Sequence, residues 1–157
     1  MERTLIRQRT RVILLRWLPM VLWMALIYWL SSQSSLPEPG KKVGLSDDLV
    51  NGSAHALAFA MLTLLAWRAF GARESFLPKA IVSSPGLSAG VFSALYGVSD
   101  EFHQWFVPGR DADIKDWLTD VAGIMLIIML VRWWQVRRAD GRAMALLPLS
   151  RPLRSPR

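Results

Sequence analysis

The sequence predicts an all-α membrane protein, a bundle of four transmembrane helices with both termini in the cytoplasm. Hydrophobic residues make up 52% of its 157 residues, and they gather in four long apolar runs separated by polar segments. Runs of this length can cross a bilayer as helices. Most of the eight tryptophans lie near the ends of the runs, where aromatic side chains mark the two surfaces of a membrane.

Composition excludes several classes of protein and site. The chain has no cysteine, which rules out disulfides, thiolate zinc sites and cysteine nucleophiles. Its net charge of +7 comes from basic residues at the two ends, beside apolar runs. Nucleic-acid binding needs a basic face on a folded domain, so we do not expect it here. The sequence also lacks an HExxH metal motif, a P-loop and a nucleophilic-serine motif.

The first predicted helix follows an arginine-rich segment, residues 1–11, which we expect in the cytoplasm. Trp17 to Leu30 is apolar throughout, and residues 12–15 extend the run if Arg16 snorkels to the headgroups. Pro19 lies in the first turns and could kink the helix. A cleaved signal peptide is the alternative, but the long, tryptophan-rich run fits a membrane anchor better.

Residues 31–52 are rich in turn formers and predict a loop, followed by a second helix from Ala54 to Phe70 with Ser53 as its N-cap. The third apolar run, Ala80 to Ser99, carries no charge, and its helix is expected to begin properly near Pro85. Small residues spaced by four could let neighbouring helices approach closely, although glycine also weakens helices. These residues are Gly86, Gly90 and Ala94 on one line and Ala89, Ser93 and Gly97 on another. The third helix is therefore predicted to be central in the bundle.

That helix can continue to Val107, until Pro108 and Gly109 stop it. A fourth helix should begin near Asp113 as N-cap and run to about Trp134. Residues 135–157 are arginine-rich with three prolines, and they predict a basic, mostly disordered cytoplasmic tail.

The distribution of basic residues predicts the topology. Lysine and arginine are most frequent at the two ends, so both termini and the 71–79 link should face the cytoplasm. The loops 31–52 and 100–116 should then face outward. This arrangement gathers the polar groups into one outer patch. Its candidate site residues are His55, Asp100, Glu101, His103, Gln104, Arg110 and Asp116, with Ser31, Ser32 and Gln33 leaving the first helix nearby.

Three uses of this patch fit its chemistry. An acid/base pair could act on a lipid or lipid-linked substrate whose phosphate Arg110 holds. A metal could bind His55, His103 and one or two carboxylates. The same groups could instead form a structural network or a ligand-binding surface without catalysis. The carboxylates are expected either to pair with Arg110 and Lys115 or to have raised pKa values. Asp111 and Asp113 are expected to be solvated helix-end charges.

The run from Tyr96 to Gly123, YGVSDEFHQWFVPGRDADIKDWLTDVAG, resembles the signature of VanZ-like membrane proteins. The pattern is Asp-Glu, then His-Gln, then Phe-x-Pro-Gly-Arg, an Asp at the start of the last helix, and a Gly seven residues on. The matching residues are Asp100, Glu101, His103, Gln104, Pro108, Gly109, Arg110, Asp116 and Gly123, with Ser31, Ser32 and His55 outside the run. The resemblance covers about residues 15–132.

The resemblance implies a multipass protein of the bacterial inner membrane, with residues 12–134 as its VanZ-like domain. The convergence of the candidate site residues on one leaflet adds the hypothesis of an outward-facing polar site that binds or acts on a cell-envelope or lipid-linked component. The resemblance does not imply that the protein is an enzyme, and it names no cofactor or metal. Glycopeptide resistance gives the family its name but is not assigned to most members.

Four residues depart from the family pattern. Asn51 and Gly52 stand where an Asp-Lys pair is usual, Asp120 where Asn is usual, and Phe59 where Tyr is common. The missing lysine puts an anion-binding step in doubt, and Asp120 adds a negative charge to an acidic patch.

Overall fold

The computed structural model describes residues 10–11, 13–34, 46–72, 77–110 and 112–145, and these residues form helices and connecting turns without any strand. This confirms the all-α class. A π-helical turn, Ile13–Trp17, leads into the first of five α-helices in the described part of the chain. The helices are α1 (Leu18–Ser31), α2 (Asp47–Phe70), α3 (Lys79–Ser83), α4 (Pro85–Gln104) and α5 (Ile114–Ala145).

The first apolar run forms a helix where the sequence predicts one. Pro19 lies in the first turn of α1, immediately after the π-helical turn, where its missing N–H costs least. The guanidinium of Arg16 donates a hydrogen bond of 3.0 Å to the backbone carbonyl of Arg68, near the end of α2. The beginning of the first helical run and the end of α2 therefore lie at the same end of the bundle.

The second helix begins at Asp47 rather than Ala54, and its N-cap is Ser46 rather than Ser53. The Ser46 hydroxyl accepts the N–H of Leu49 at 3.3 Å, while Ser53 donates to a carbonyl one turn earlier within the helix. The sequence places a loop here because of turn-forming residues, but packing against α5 overrides that weak local preference.

The predicted third helix, α4, contacts all the other α-helices, as its predicted central position requires, but it shares that position with the second helix. Helix α2 also contacts α1, α4 and α5, and it supplies much of the hydrophobic core. Phe59, Leu62 and Ala66 are almost wholly buried in that core.

The small residues of α4 pack against neighbouring helices, as their spacing predicts. Five of them are buried, namely Gly86, Ala89, Gly90, Ser93 and Gly97. Gly86 lies against the indole of Trp67, and Gly90 lies against Ile128. The packing interpretation is confirmed over the alternative of a merely weak helix.

The turn after α4 begins three residues earlier than predicted, because the helix ends at Gln104 rather than Val107. Gly109 has a φ of +80°, in the left-handed region that side-chain-bearing residues rarely adopt. This residue lets the chain reverse before α5 begins beside Asp113, whose carboxylate accepts the N–H of Lys115 at 2.9 Å.

Helix α5 continues to Ala145, so the prediction of disorder is wrong for residues 135–145. This stretch contains no proline and is rich in arginine and alanine, which favour helices. Two arginines also stack on tryptophans one turn earlier, Arg138 at 3.6 Å from the ring of Trp134 and Arg137 at 4.8 Å from that of Trp133. The remaining tail, with its prolines, lies outside the described residues.

Helices α2 and α5 approach each other most closely at Gly123. A Cβ atom on Gly123 would lie 2.7 Å from the carbonyl carbon of Ala56, which is closer than atoms can pack. Only a glycine therefore permits this separation of the two helices. His55 directly precedes Ala56 in the chain, so this contact places His55 next to α5.

Apolar side chains cover much of the outer surface of the helices. Examples that are more than half exposed are Leu22, Leu57, Leu95 and Leu126. Among the described residues, two helical stretches are long and apolar enough to cross a membrane, Leu14–Ser31 and Leu49–Phe70. The four-span bundle and the cytoplasmic termini stay predictions.

Candidate functional site

Polar side chains from four helices converge at the end of the bundle opposite the contact between Arg16 and Arg68. They come from the last turn of α1, the first half of α2, the last turns of α4 and the first turns of α5. We call this group the polar site. Its members are Ser31, Ser32, His55, Asp100, Glu101, His103, Gln104, Arg110, Asp116 and Asp120.

His55 faces the acidic residues of α5. Its Nδ1 lies 3.1 Å from Oδ1 of Asp120, and its Nε2 lies 3.8 Å from Oδ2 of Asp116. The Asp120 side chain is 0% exposed. The sequence places Asp120 in the same acidic patch, one turn after Asp116 on the same helix face, but the predicted site residues do not include it. The spacing of four residues between Asp116 and Asp120 is the feature of the sequence that could have identified Asp120 as a site residue.

A second cluster joins α1 to α4 through the carboxylate of Asp100. The Ser31 hydroxyl donates a hydrogen bond of 2.9 Å to Asp100 Oδ2, and the Gln104 amide donates one of 3.1 Å to the same oxygen. Both Asp100 and Gln104 are almost completely buried, at 3% and 1% exposure. Such a carboxylate depends on its donors, because a buried charge without partners is costly.

Replacing Ser31 with alanine should therefore lower the free energy of unfolding by about 1–2 kcal/mol, since Asp100 loses one of the two donors that it has among the described residues. Chemical or thermal unfolding in detergent micelles measures the effect. Ser99→Ala is the matched control, because the Ser99 hydroxyl is exposed and bonds only to a carbonyl within its own helix. Equal stability of the two variants would contradict the assigned role of Ser31.

His103 belongs to a different part of the site from His55. Its Nε2 lies 2.9 Å from the Ser32 hydroxyl, and its ring stacks on Tyr28 with centroids 4.2 Å apart. The residues whose ligand atoms could share a metal ion are instead His55, Glu101 and Asp120. The structure does not bring the two histidines together as ligands of one ion.

Glu101 lies beyond the charge-free stretch of α4 and reaches toward the start of α5. Its Oε2 accepts the N–H of Asp113 at 3.0 Å, whereas its buried Oε1 accepts no hydrogen bond within the described residues. Burial raises the pKa of the Glu101 carboxyl to about 7, although the Asp113 N–H opposes the shift. This agrees with the expectation of a raised pKa for an unpaired carboxylate.

Arg110 does not pair with a carboxylate among the residues that the structure describes. Its Nε donates to the carbonyl of Gln33 at 3.0 Å, and one terminal nitrogen donates to that of Leu30 at 3.3 Å. Lys115 lies 4.0 Å from Asp113, and both side chains are substantially exposed, so this pair contributes little. Arg110 therefore ties the loop after α4 to the end of α1.

A cavity of about 100 Å³ opens beside these clusters. One part of its lining is apolar and comes from Ile27, Leu30, Ala54, Ala58 and Phe59. The other part is polar and comes from Ser31, His55, Asp100 and Arg110. The cavity thus contacts both clusters of the polar site and the apolar surface of α1 and α2.

A family model described as VanZ/LLP1 matches residues 6–135, a range that includes the whole polar site. Neither a curated protein nor a solved structure gives a significant match. Since the matched range covers well over half of the 157 residues, the chain belongs to the VanZ/LLP1 family.

Proposed function

We propose that this VanZ-family chain is a multipass protein of the bacterial inner membrane whose polar site binds the head of a lipid-linked cell-envelope component. The observation that carries the proposal is the mixed lining of the cavity. An amphipathic ligand needs polar partners for its head beside an apolar surface for its chain. The cavity offers both within one space.

The charges in the cavity fit a phosphate-bearing head with further polar groups. Arg110 can attract a phosphate, while the carboxylate of Asp100 and the ring of His55 can bind hydroxyl or amide groups. Two guanidinium nitrogens of Arg110 donate to backbone carbonyls, so the group is held in position before a ligand arrives.

The hydrogen bonds of the site favour binding over nucleophilic chemistry. The Ser32 hydroxyl donates its single proton to the carbonyl of Tyr28 at 2.7 Å. His103 Nε2 lies 2.9 Å from the same hydroxyl oxygen, and while the hydroxyl donates to Tyr28 the imidazole can bond to it only as the donor. A base that activates serine needs the opposite arrangement.

Filling the apolar part of the cavity should weaken binding of the lipid-linked ligand without disturbing the polar groups of the lining. Ala58→Phe places an aromatic ring against the apolar part of the lining and should weaken binding of a polyisoprenyl phosphate at least about tenfold, or about 1.4 kcal/mol. Native mass spectrometry of the full chain in detergent measures the bound fraction. Leu57→Phe is the matched control, because Leu57 is the adjacent residue and its side chain is 71% exposed. Equal binding by both variants would contradict the proposal.

A second candidate function is that of a non-catalytic accessory protein whose polar site only holds the helices together. It is favoured by the bonds of Asp100 and Arg110, each of which joins α1 to another element. Under this alternative, the wild-type chain would bind no polyisoprenyl phosphate, and the same experiment separates the two.

A further inference from the structure

Three helices bring one nitrogen and two carboxylate ligands to a single point. A ring nitrogen of His55 on α2, a carboxylate oxygen of Glu101 on α4 and one of Asp120 on α5 all lie within 4.8 Å of one another. We propose that these three side chains bind a divalent transition-metal ion, for which Zn²⁺ is the best fit. Imidazole and carboxylate ligands suit Zn²⁺, and the absence of cysteine makes a softer, thiolate site impossible.

Two buried oxygens in this group have no hydrogen-bond donor. Glu101 Oε1 and Asp120 Oδ2 accept no hydrogen bond from any described residue, and the Asp120 side chain is fully buried. Buried carboxylate oxygens are nearly always satisfied in folded proteins. A cation between the two carboxylates supplies what both oxygens lack.

The distances in the group also fit ligation. His55 Nδ1 and Asp120 Oδ1 are 3.1 Å apart. Two ligands that each lie about 2.0–2.1 Å from one zinc ion are separated by roughly 3.0–3.4 Å. Asp116 then lies on the other side of the ring, with its Oδ2 at 3.8 Å from Nε2, too far for a hydrogen bond in this arrangement. Its negative charge nevertheless favours a proton on Nε2, which leaves Nδ1 free to bind an ion.

Charge balance points the same way. A divalent ion bound to two carboxylates and a neutral imidazole would have its charge balanced by the two ligand charges, so the bound group carries no net charge in a largely buried place. His55 also lines the cavity, so a bound ion would lie beside its wall. In this respect the inference deepens the proposed function and rests on it, whereas ion binding itself can be measured without any lipid.

The test uses the full chain in detergent micelles, stripped with EDTA and titrated with Zn²⁺ in a calorimeter. We expect one ion per wild-type chain, and at least about tenfold weaker binding for Asp120→Asn, Glu101→Gln and His55→Gln. The matched controls are Asp100→Asn and His103→Gln. These variants remove the same kinds of chemical group from the polar site but leave intact the triad of proposed ligands, His55, Glu101 and Asp120. They should therefore retain wild-type affinity for Zn²⁺.

Zn²⁺ should also raise the melting temperature of the wild type and of both controls, but not of the triad variants. The inference is overturned if the wild type binds no Zn²⁺, or if the controls lose as much affinity as the triad variants. Because Asp120→Asn could fail to fold, Glu101→Gln, at a half-buried position, serves as the second variant. A folded Glu101→Gln chain with wild-type affinity overturns the inference as well.

Lipid binding measured with and without EDTA separates this inference from the proposed function. A wild-type chain that binds polyisoprenyl phosphate but does not bind added Zn²⁺ overturns the metal site alone. Zn²⁺ binding by a chain that binds no polyisoprenyl phosphate overturns the lipid function and leaves the metal site in place.

Discussion

Replacing Gly123 with alanine is expected to lower the free energy of unfolding by about 3 kcal/mol, because the added methyl group has no space. The new Cβ would meet the backbone of Ala56, with its carbonyl carbon at 2.7 Å and its Cα at 2.8 Å. Backbone atoms cannot rotate away as the end of a flexible side chain can, so α2 and α5 must separate. The loss is measurable by unfolding in mixed detergent micelles.

Gly52→Ala provides the matched control in the same interface between α2 and α5. A Cβ there meets only the Thr119 methyl group at 3.5 Å, an ordinary contact. Alanine also favours a helix by about 1 kcal/mol over glycine, so this variant should be as stable as the wild type or more so. If both alanine variants unfold alike, the close contact at Gly123 does not determine the helix separation.

Replacing His55 with alanine is expected to cost about 3 kcal/mol in metal-free protein, since it leaves a carboxylate buried without its partner. Asp120 Oδ1 faces His55 at 3.1 Å, and its other oxygen has no donor among the described residues. The unfolding measurement should be made in EDTA. His103→Ala, which removes a half-buried imidazole bonded to Ser32, should cost only about 1 kcal/mol.

A double-mutant cycle checks that the cost belongs to the pair. When Asp120 is already asparagine, the change His55→Ala should cost about 1–3 kcal/mol less than in the wild type, because no buried charge is abandoned. Additive losses in the cycle would mean that the two side chains do not interact.

The sequence predicts most of the fold because the signals involved are local. A charge-free run with small residues every fourth position predicts a tightly packed helix, and α4 packs through Gly86, Gly90 and Gly97. The Asp113 cap and the Gly109 turn also act over a few residues, and both lie where they are predicted. The early start of α2 is different, since contacts with α5, far along the chain, outweigh the turn-forming residues there.

Which side chains pair within the polar site depends on how each helix is rotated about its own axis. Residue spacing within one helix does not determine that rotation. The candidate residues do gather at one end of the bundle, as the predicted order of helices requires. Which histidine faces which carboxylate depends on how α2 turns toward α5, and Gly123 controls that through its contact with Ala56. The sequence therefore places most of these residues at one end of the bundle, but it predicts neither Asp120 as a candidate site residue nor its pairing with His55.

Arg110 has a consequence for how a ligand reaches the cavity. Its bonds to the carbonyls of Leu30 and Gln33 make the end of α1 and the loop before α5 a single rigid unit. The indole of Trp23 adds a link between α1 and α2, because it donates to the carbonyl of Ala58 at 2.9 Å. Any widening of the cavity by movement of α1 must therefore break the bonds of both Arg110 and Trp23.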